Sequence, residues 1–244
     1  MKYLLDTHTH TIASGHAYNT IMEMVEEASK KGLKILGITD HAPTMPGSCH
    51  EFYFQNLKAV DREYIEQEYK LELLLGAELN ILDEKGRVDL PKRTIKGLDV
   101  TIASLHKPCF SSAGLEKNTE AVIAALKNPY IDIIGHPDDS RIPIIYEPVV
   151  KIAKEEGKLL EVNNSSLNPK GYRVGAKENY KIMLELCKKY KQPIVIDSDA
   201  HFKTAIGNFS NVEALFSEVE FPEELIINTS VERFKTYIQK YKKK

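Results

Sequence analysis

The chain has 244 residues, with 33 Lys and Arg against 35 Asp and Glu and a formal net charge of −2. A share of 42% apolar and 28% charged residues suits a globular protein with a buried core, and the near-balance of charge argues against nucleic-acid binding by bulk electrostatics. No apolar run approaches the roughly 18 residues a membrane span needs, and Asp6 arrives too early for a secretory signal, so a cytoplasmic protein with no membrane association is expected.

Short apolar runs alternate with amphipathic stretches along the chain. Tyr3–Asp6 reads as a first strand and Thr20–Lys31 as a helix, closed at Lys31-Gly32 by a glycine able to take the left-handed C-cap conformation. Lys34–Thr39 follows as a strand, Leu57–Tyr69 as a helix and Leu71–Glu78 as a third strand. Asp99–Ser104, Tyr130–Gly135, Lys158–Val162 and Pro193–Asp197 complete seven strands. They are separated by helical patterns over Glu116–Lys127, Glu147–Glu156 and Ala176–Tyr190. Near-continuous apolar runs such as Ile194-Val195-Ile196 suit parallel strands buried on both faces. A weaker helix near Val212–Ser217, the apolar run Leu225–Asn228, and a last helix capped by Ser230 end the chain, with the terminal lysines as a solvated tail. Such βα alternation without a linker predicts one domain over 1–244 built on a parallel sheet, open or closed into a barrel.

Cys49, Cys109 and Cys187 are far apart and form no C-x-x-C pair, which excludes a disulfide framework or a zinc ribbon and fits a reducing compartment.

Seven of the eight histidines fall at or just after a predicted strand's C-terminal end, the face where α/β barrels carry their active sites. Strand one leads into Asp6-Thr7-His8-Thr9-His10, with His16 six residues on, and strand two ends in Thr39-Asp40-His41. Glu78, His106 and His136 close the next three strands, and strand seven runs into Asp197-Ser198-Asp199-Ala200-His201. In extended chain, residues two apart share a side, so His8 and His10 are able to bind one ion together. So many imidazoles at one rim would repel on protonation unless metals held them. The candidate ligands His8, His10, His16, His41, Glu78, His106, His136, Asp199 and His201 are too many for one tetrahedral ion and suit two or three. Three dications against two carboxylates leave the site electropositive, as a phosphorylated substrate requires.

This set, with Gly135-His136-Pro137, resembles the polymerase and histidinol phosphatase (PHP) family. Glu161-Val162-Asn163-Asn164-Ser165-Ser166 and Pro46-Gly47 before His50-Glu51 look like its YcdX-type phosphatase branch. The resemblance runs from residue 3 to about residue 230 and implies a distorted seven-stranded (β/α) barrel with three divalent ions at the C-terminal rim. Zinc is the metal it favours over manganese or iron. It also implies three ligand sets: His8, His10, Glu78 and Asp199 for one ion; Glu78 as a bridge with His106 and His136 for a second; His16, His41 and His201 for a third. The implied reaction is hydrolysis of a phosphomonoester by a metal-bound hydroxide. A nuclease acting on phosphodiesters is the nearest rival, although no basic stripe with interleaved aromatics is evident. Histidinol phosphate and protein phosphotyrosine are further substrates within the class. Amidohydrolases, which share His-x-His on strand one, lack the third ligand group.

Around the ligands, Asp6, Asp40 and Asp197 are read as acceptors that orient imidazoles, with Asp40 placed among the catalytic candidates. His50 sits in a Gly/Pro-containing loop after strand two and is a candidate substrate contact. Arg141 and Arg173, alone among six arginines, follow strand C-termini and are the candidate phosphate clamp. Asn163, Asn164 and Ser165 follow strand six and are candidate substrate-binding residues.

Overall fold

The computed structural model describes residues 1–242, so Lys243 and Lys244 of the lysine tail lie outside it. Its strands are β1 (Leu5–Thr9), β2 (Ile35–Ile38), β3 (Glu72–Leu75), β4 (Ala77–Asn80), β5 (Thr101–Ser104), β6 (Ile133–Gly135), β7 (Leu159–Asn163) and β8 (Ile194–Asp197). All pair in parallel, in one sheet ordered β1-β2-β3 and a second ordered β4-β5-β6-β7-β8. The α/β class is as expected; the count of seven strands is not. The predicted strand Leu71–Glu78 breaks at Gly76, where β3 leaves the first sheet and β4 enters the second. The cause is a crowded crossing: a Cβ at Gly76 would lie 2.1 Å from the Val100 carbonyl oxygen, so only glycine lets the backbone switch sheets there.

Both seams between the sheets are narrow. At one, Thr9 bridges Ala200, and lower down the buried Asn228 side chain bonds Leu5, Ile196 and the Ile196 N–H in place of a strand. At the other, His41 bridges Glu78, and the Gly76 N–H donates to the Ile38 carbonyl.

Helices α1 (Ile21–Lys30), α2 (Glu51–Asn56), α3 (Arg62–Tyr69), α4 (Lys92–Ile95), α5 (Leu115–Leu126), α6 (Tyr146–Glu156), α7 (Ala176–Tyr190), α8 (Ser210–Val219), α9 (Val231–Tyr237) and α10 (Gln239–Lys242) complete the fold. Thr20 and Glu23 form a reciprocal capping box on α1, and Ser230 caps α9 as predicted. The single helix predicted over Leu57–Tyr69 is instead a short turn, Leu57–Ala59, followed by α3. Val60 closes the first, its N–H donating to the Leu57 carbonyl, and Asp61 caps the second by accepting from the Tyr64 N–H. The apolar run at 225–228 falls in two 3-10 turns, Glu223–Leu225 and Ile227–Thr229, with Ile226 between them bridging Ile194.

Two apolar cores result. One lies between strands and outer helices. The other fills the barrel's N-terminal half, where Leu5, Ile35, Val100, Ile133 and Val195 meet Phe234 and Ile238 from the final segment. That plug leaves polar chemistry to the C-terminal half. Among the described residues, no helix is long and apolar enough to cross a membrane.

Candidate metal centre

The nine sequence-predicted ligands converge at the C-terminal end of the strands. His8 lies within β1 and Glu78 within β4, deeper than a strand-end position, and both are fully buried. Glu78 is the hub. Its Oε1 is 2.7 Å from His136 Nε2 and 3.0 Å from His106 Nε2; its Oε2 is 2.6 Å from His41 Nδ1 and 3.3 Å from His8 Nε2. Asp199 Oδ1 stands 3.1 Å from His10 Nε2. The His10 and His41 rings, like those of His10 and His201, are centred 4.3 Å apart, and the exposed His16 stacks on His41 and His201 at 4.9 and 4.8 Å. Ligand atoms of His10, His41 and His201 lie close enough to share an ion, as do those of His8, His10 and Glu78, and of His41, Glu78 and His106.

Of these short distances, His136 Nε2 to Glu78 Oε1 is a hydrogen bond, which leaves the buried His136 Nδ1 without a partner among the described residues; several of the others are not hydrogen bonds. His8 Nε2, His10 Nε2, His41 Nδ1, Glu78 Oε2 and Asp199 Oδ1 are buried and have no hydrogen-bond partner among the described residues, despite their proximity. The opposite nitrogens explain why. His8 Nδ1 donates to Glu161 Oε1 at 2.7 Å, and His106 Nδ1 donates to Asn80 Oδ1 at 2.7 Å, since the Asn80 amide N–H groups are committed to Asp89 and the Ala42 carbonyl. These two rings therefore turn an Nε2 without a hydrogen on it towards the carboxylates. Buried polar groups are rarely left unsatisfied, and lone pairs of imidazole and carboxylate converging on common points fit borderline divalent cations.

Charge agrees with that fit. Burial pushes the Glu78 carboxyl up, but His106, His8 and His41 outweigh it and hold the group well below the usual carboxylate range. Asp199 is held down against burial by His8, His10 and His201. Burial, then His201 and His41, keep His10 neutral, and burial lowers His106 to about 4. His8 goes the other way: burial is outweighed by Glu161, Glu78 and Asp199, and it is held well above its ordinary value. A positive charge is thus favoured at His8 Nε2, whether proton or metal. Two of these residues, Asp199 (φ 54°) and His136 (φ 25°), take the left-handed backbone that glycine prefers, a cost often met at functional sites.

The oriented acceptors differ from those expected. Asp6 takes the Ser198 and Gly207 N–H groups, and Asp197 takes the Thr7 N–H and hydroxyl; neither meets an imidazole. Two residues below the nearest ligand is about 7 Å along a strand, one side-chain layer too deep. Glu161, which also accepts from the His136 N–H, Asn80 and Ser14 fill that role. A carboxylate inside the apolar run Leu159-Leu160-Glu161-Val162 was the available signal for Glu161. Asp40 is fully buried and accepts from Thr11, Ser14 and Tyr53.

Above the cluster opens a cavity of about 750 Å³. Arg173 lines it with its side chain only 5% exposed and a single 3.4 Å contact to Asp138; Arg141 lines it too, paired with Asp139 through both carboxylate oxygens. Tyr172 lies against both guanidiniums, and Lys107, not singled out from sequence, faces the same space. Asn163 donates to Asp199 Oδ2 at 3.2 Å; Asn164 lines the cavity but spends its carbonyl oxygen on the Asn211 and Val212 N–H groups of α8; Ser165 is exposed at the wall. His50 is not brought to the site. It is the exposed N-cap of α2, its Nδ1 accepting from the Phe52 N–H.

The PHP domain model matches residues 6–165. A probable phosphatase of Clostridium novyi is 46% identical over 239 residues, covering 98% of this chain and 96% of that protein. A probable phosphatase of Caldanaerobacter subterraneus is 47% identical over 245 residues, covering 100% and 94%. Among solved structures, the histidinol phosphate phosphatase of Lactococcus lactis, in complex with zinc, L-histidinol and phosphate, superposes with a TM-score of 0.60 at 18% identity, covering 90% of this chain and 95% of that one.

Proposed function

The chain belongs to the PHP family and is a phosphatase, and from that premise we propose that it hydrolyses a small phosphomonoester at a centre of three divalent ions, zinc foremost. The observation that carries this reading is the set of orphaned lone pairs on His8, His10, His41, Glu78 and Asp199, gathered beneath a cavity large enough for a whole phosphoester. Bound there, the ions would acidify a water and neutralise phosphoryl oxygens.

The chain's own residues supply the rest. His8, His10, Glu78 and Asp199 would hold one ion; Glu78, His106 and His136 would hold a second; His16, His41 and His201 would hold a third. His10 and His41 stand close enough to their neighbours to couple the groups. Arg173 is a buried guanidinium with most of its five N–H donors uncommitted, and it turns them to the phosphoryl oxygens; Arg141, fixed by Asp139, backs it through Tyr172. Asn163 steadies Asp199, while Ser165 and the Asn164 amide line the path of the leaving group.

Steady-state hydrolysis tests the reading. The metal-free chain, reloaded with zinc or manganese, is offered a small aryl phosphate, L-histidinol phosphate and a short single-stranded oligonucleotide. Metal-dependent turnover of a monoester, with the oligonucleotide a poor substrate, is expected. A higher kcat/KM on the oligonucleotide would move the activity to phosphodiesters, and absence of metal-dependent turnover would overturn the proposal.

A further inference from the structure

We propose that Asp40 acts through Ser14 to fix the tautomer of His10, making Asp40 and Ser14 positioning residues rather than proton-transfer groups; the inference rests on the metal-centre reading above only in naming His10 a ligand.

The argument is a count of protons. The Asp40 carboxylate only accepts, and its surroundings saturate it: Oδ1 takes the Thr11 N–H and the Ser14 hydroxyl, each at 2.7 Å, and Oδ2 takes the Thr11 hydroxyl at 2.8 Å and the Tyr53 hydroxyl at 2.7 Å. It is wholly buried and does not line the cavity, so substrate cannot reach it. The single Ser14 proton is thereby spent on Asp40. What remains on Ser14 Oγ is two lone pairs, and two groups approach them: the His41 backbone N–H at 3.0 Å and His10 Nδ1 at 3.1 Å. Ser14 has no second proton to offer His10. His10 must therefore carry its proton on Nδ1, which leaves Nε2 bare and facing Asp199 and Glu78. Asp199 does not reverse this: its Oδ1 is 3.1 Å from Nε2, yet neither atom has a hydrogen-bond partner among the described residues.

One hydroxyl thus does two things. It decides which His10 nitrogen is free for a cation, and it pins the backbone of His41, just past the end of β2. Without the Asp40 acceptor, the Ser14 hydroxyl would be free to turn and donate to His10 Nδ1, and the ring proton would move to Nε2, where a metal has to sit.

The test reads the tautomer directly. Long-range proton–nitrogen NMR on the metal-free chain, with His10 assigned by its loss in His10→Asn, should show Nδ1 protonated and Nε2 bare. Ser14→Ala and Asp40→Ala should each shift His10 towards Nε2–H and weaken zinc binding by about 10–100-fold, the usual cost of losing an outer partner of a metal ligand. Asp40→Asn should rescue the Nδ1–H form, because its carbonyl oxygen still accepts from Ser14 and the Thr11 N–H. Tyr53→Phe, which removes a donor to Asp40 but leaves the Ser14 relay, should keep the tautomer. An Nε2–H form in the unaltered chain, or an unmoved tautomer in Ser14→Ala, would overturn the inference. So would a shift in Tyr53→Phe equal to that in Asp40→Ala, since the cause would then be a loosened loop. If Asp40→Ala fails to fold, the unaltered chain and Ser14→Ala still decide. Because the readout needs neither metal nor substrate, the tautomer result stands apart from any failure of the phosphatase reading.

Discussion

His41 and Glu78 meet twice: their backbones form a parallel bridge between the two sheets, and His41 Nδ1 lies 2.6 Å from Glu78 Oε2. The same pair is therefore a seam of the barrel and a wall of the candidate metal centre. Ions held there would tie the sheet of β1–β3 to the sheet of β4–β8, so binding and folding are coupled.

That coupling predicts a large response to chelation. Removing metal should lower the thermal midpoint, and restoring zinc to 100 times its dissociation constant should return about 2.7 kcal/mol for one site and more for several. Calorimetry with and without chelator measures it. Equal midpoints would show that the seam does not depend on metal.

His41→Ala should remove about one ion per chain by elemental analysis and lower kcat by about 10²–10³-fold, comparable to losing one electrostatic stabiliser of a transition state. Glu78→Gln should cost more, because Glu78 touches His8, His41, His106 and His136 at once. Full metal content and near-normal turnover in His41→Ala would reduce the centre to two ions.

Arg173→Lys keeps the charge beside Asp138 but replaces a fork of donors with a point charge. The KM for a monoester and the inhibition constant of inorganic phosphate should both rise by roughly tenfold, about 1.4 kcal/mol. An unchanged phosphate constant would take Arg173 out of substrate binding.

For the metal-free chain the sign with pH follows from the depressed histidines. His106 falls from its ordinary 6.5 to about 4 through burial, and His10 and His16 are lowered by burial and neighbouring histidines. Between pH 4 and 6.5 the unfolded chain binds more protons at these groups, so stability should drop as pH falls through that window. His8, raised by Glu161, Glu78 and Asp199, contributes the opposite slope, its stabilisation fading only as pH climbs through its folded value. The buried carboxyls of Asp132, raised by burial to about 6, and of Asp6, Asp138 and Asp197, also raised by burial, act in the same direction as His8. The histidine contribution is therefore read as a difference between chains: without metal, the urea midpoint at pH 5 relative to pH 7 should be higher in His106→Asn than in the unaltered chain.

Gly76→Ala should destabilise by about 3 kcal/mol or more, since a Cβ 2.1 Å from the Val100 carbonyl forces the sheet crossing apart. A chemical-denaturation midpoint unchanged by this methyl group would mean the crossing has slack.

The parallel βα architecture is legible in the sequence because apolar period and helix caps are local signals, as Thr20 and Ser230 show. The break at Gly76 is not, since its cause is Val100, on the approach to another strand. The candidate ligands are legible because histidines after strands are conspicuous whatever the sheet register. Their partners are harder to read: His8 finds Glu161 153 residues away, and Ser14 matters only once Asp40 and His10 are seen to share its hydroxyl. His50 shows the reverse error, a conspicuous residue type whose position is explained by capping α2.

Gly15 and Gly47 pack backbone on backbone. Both have positive φ, and a Cβ on Gly15 would lie 1.9 Å from the Gly47 carbonyl oxygen. No side chain mediates the contact, yet it sets where His16, the next residue, enters the metal cluster. The loops after β1 and β2 are thus keyed to each other: an insertion in either, or a side chain at Gly15, would displace a candidate ligand unless the other loop moved with it.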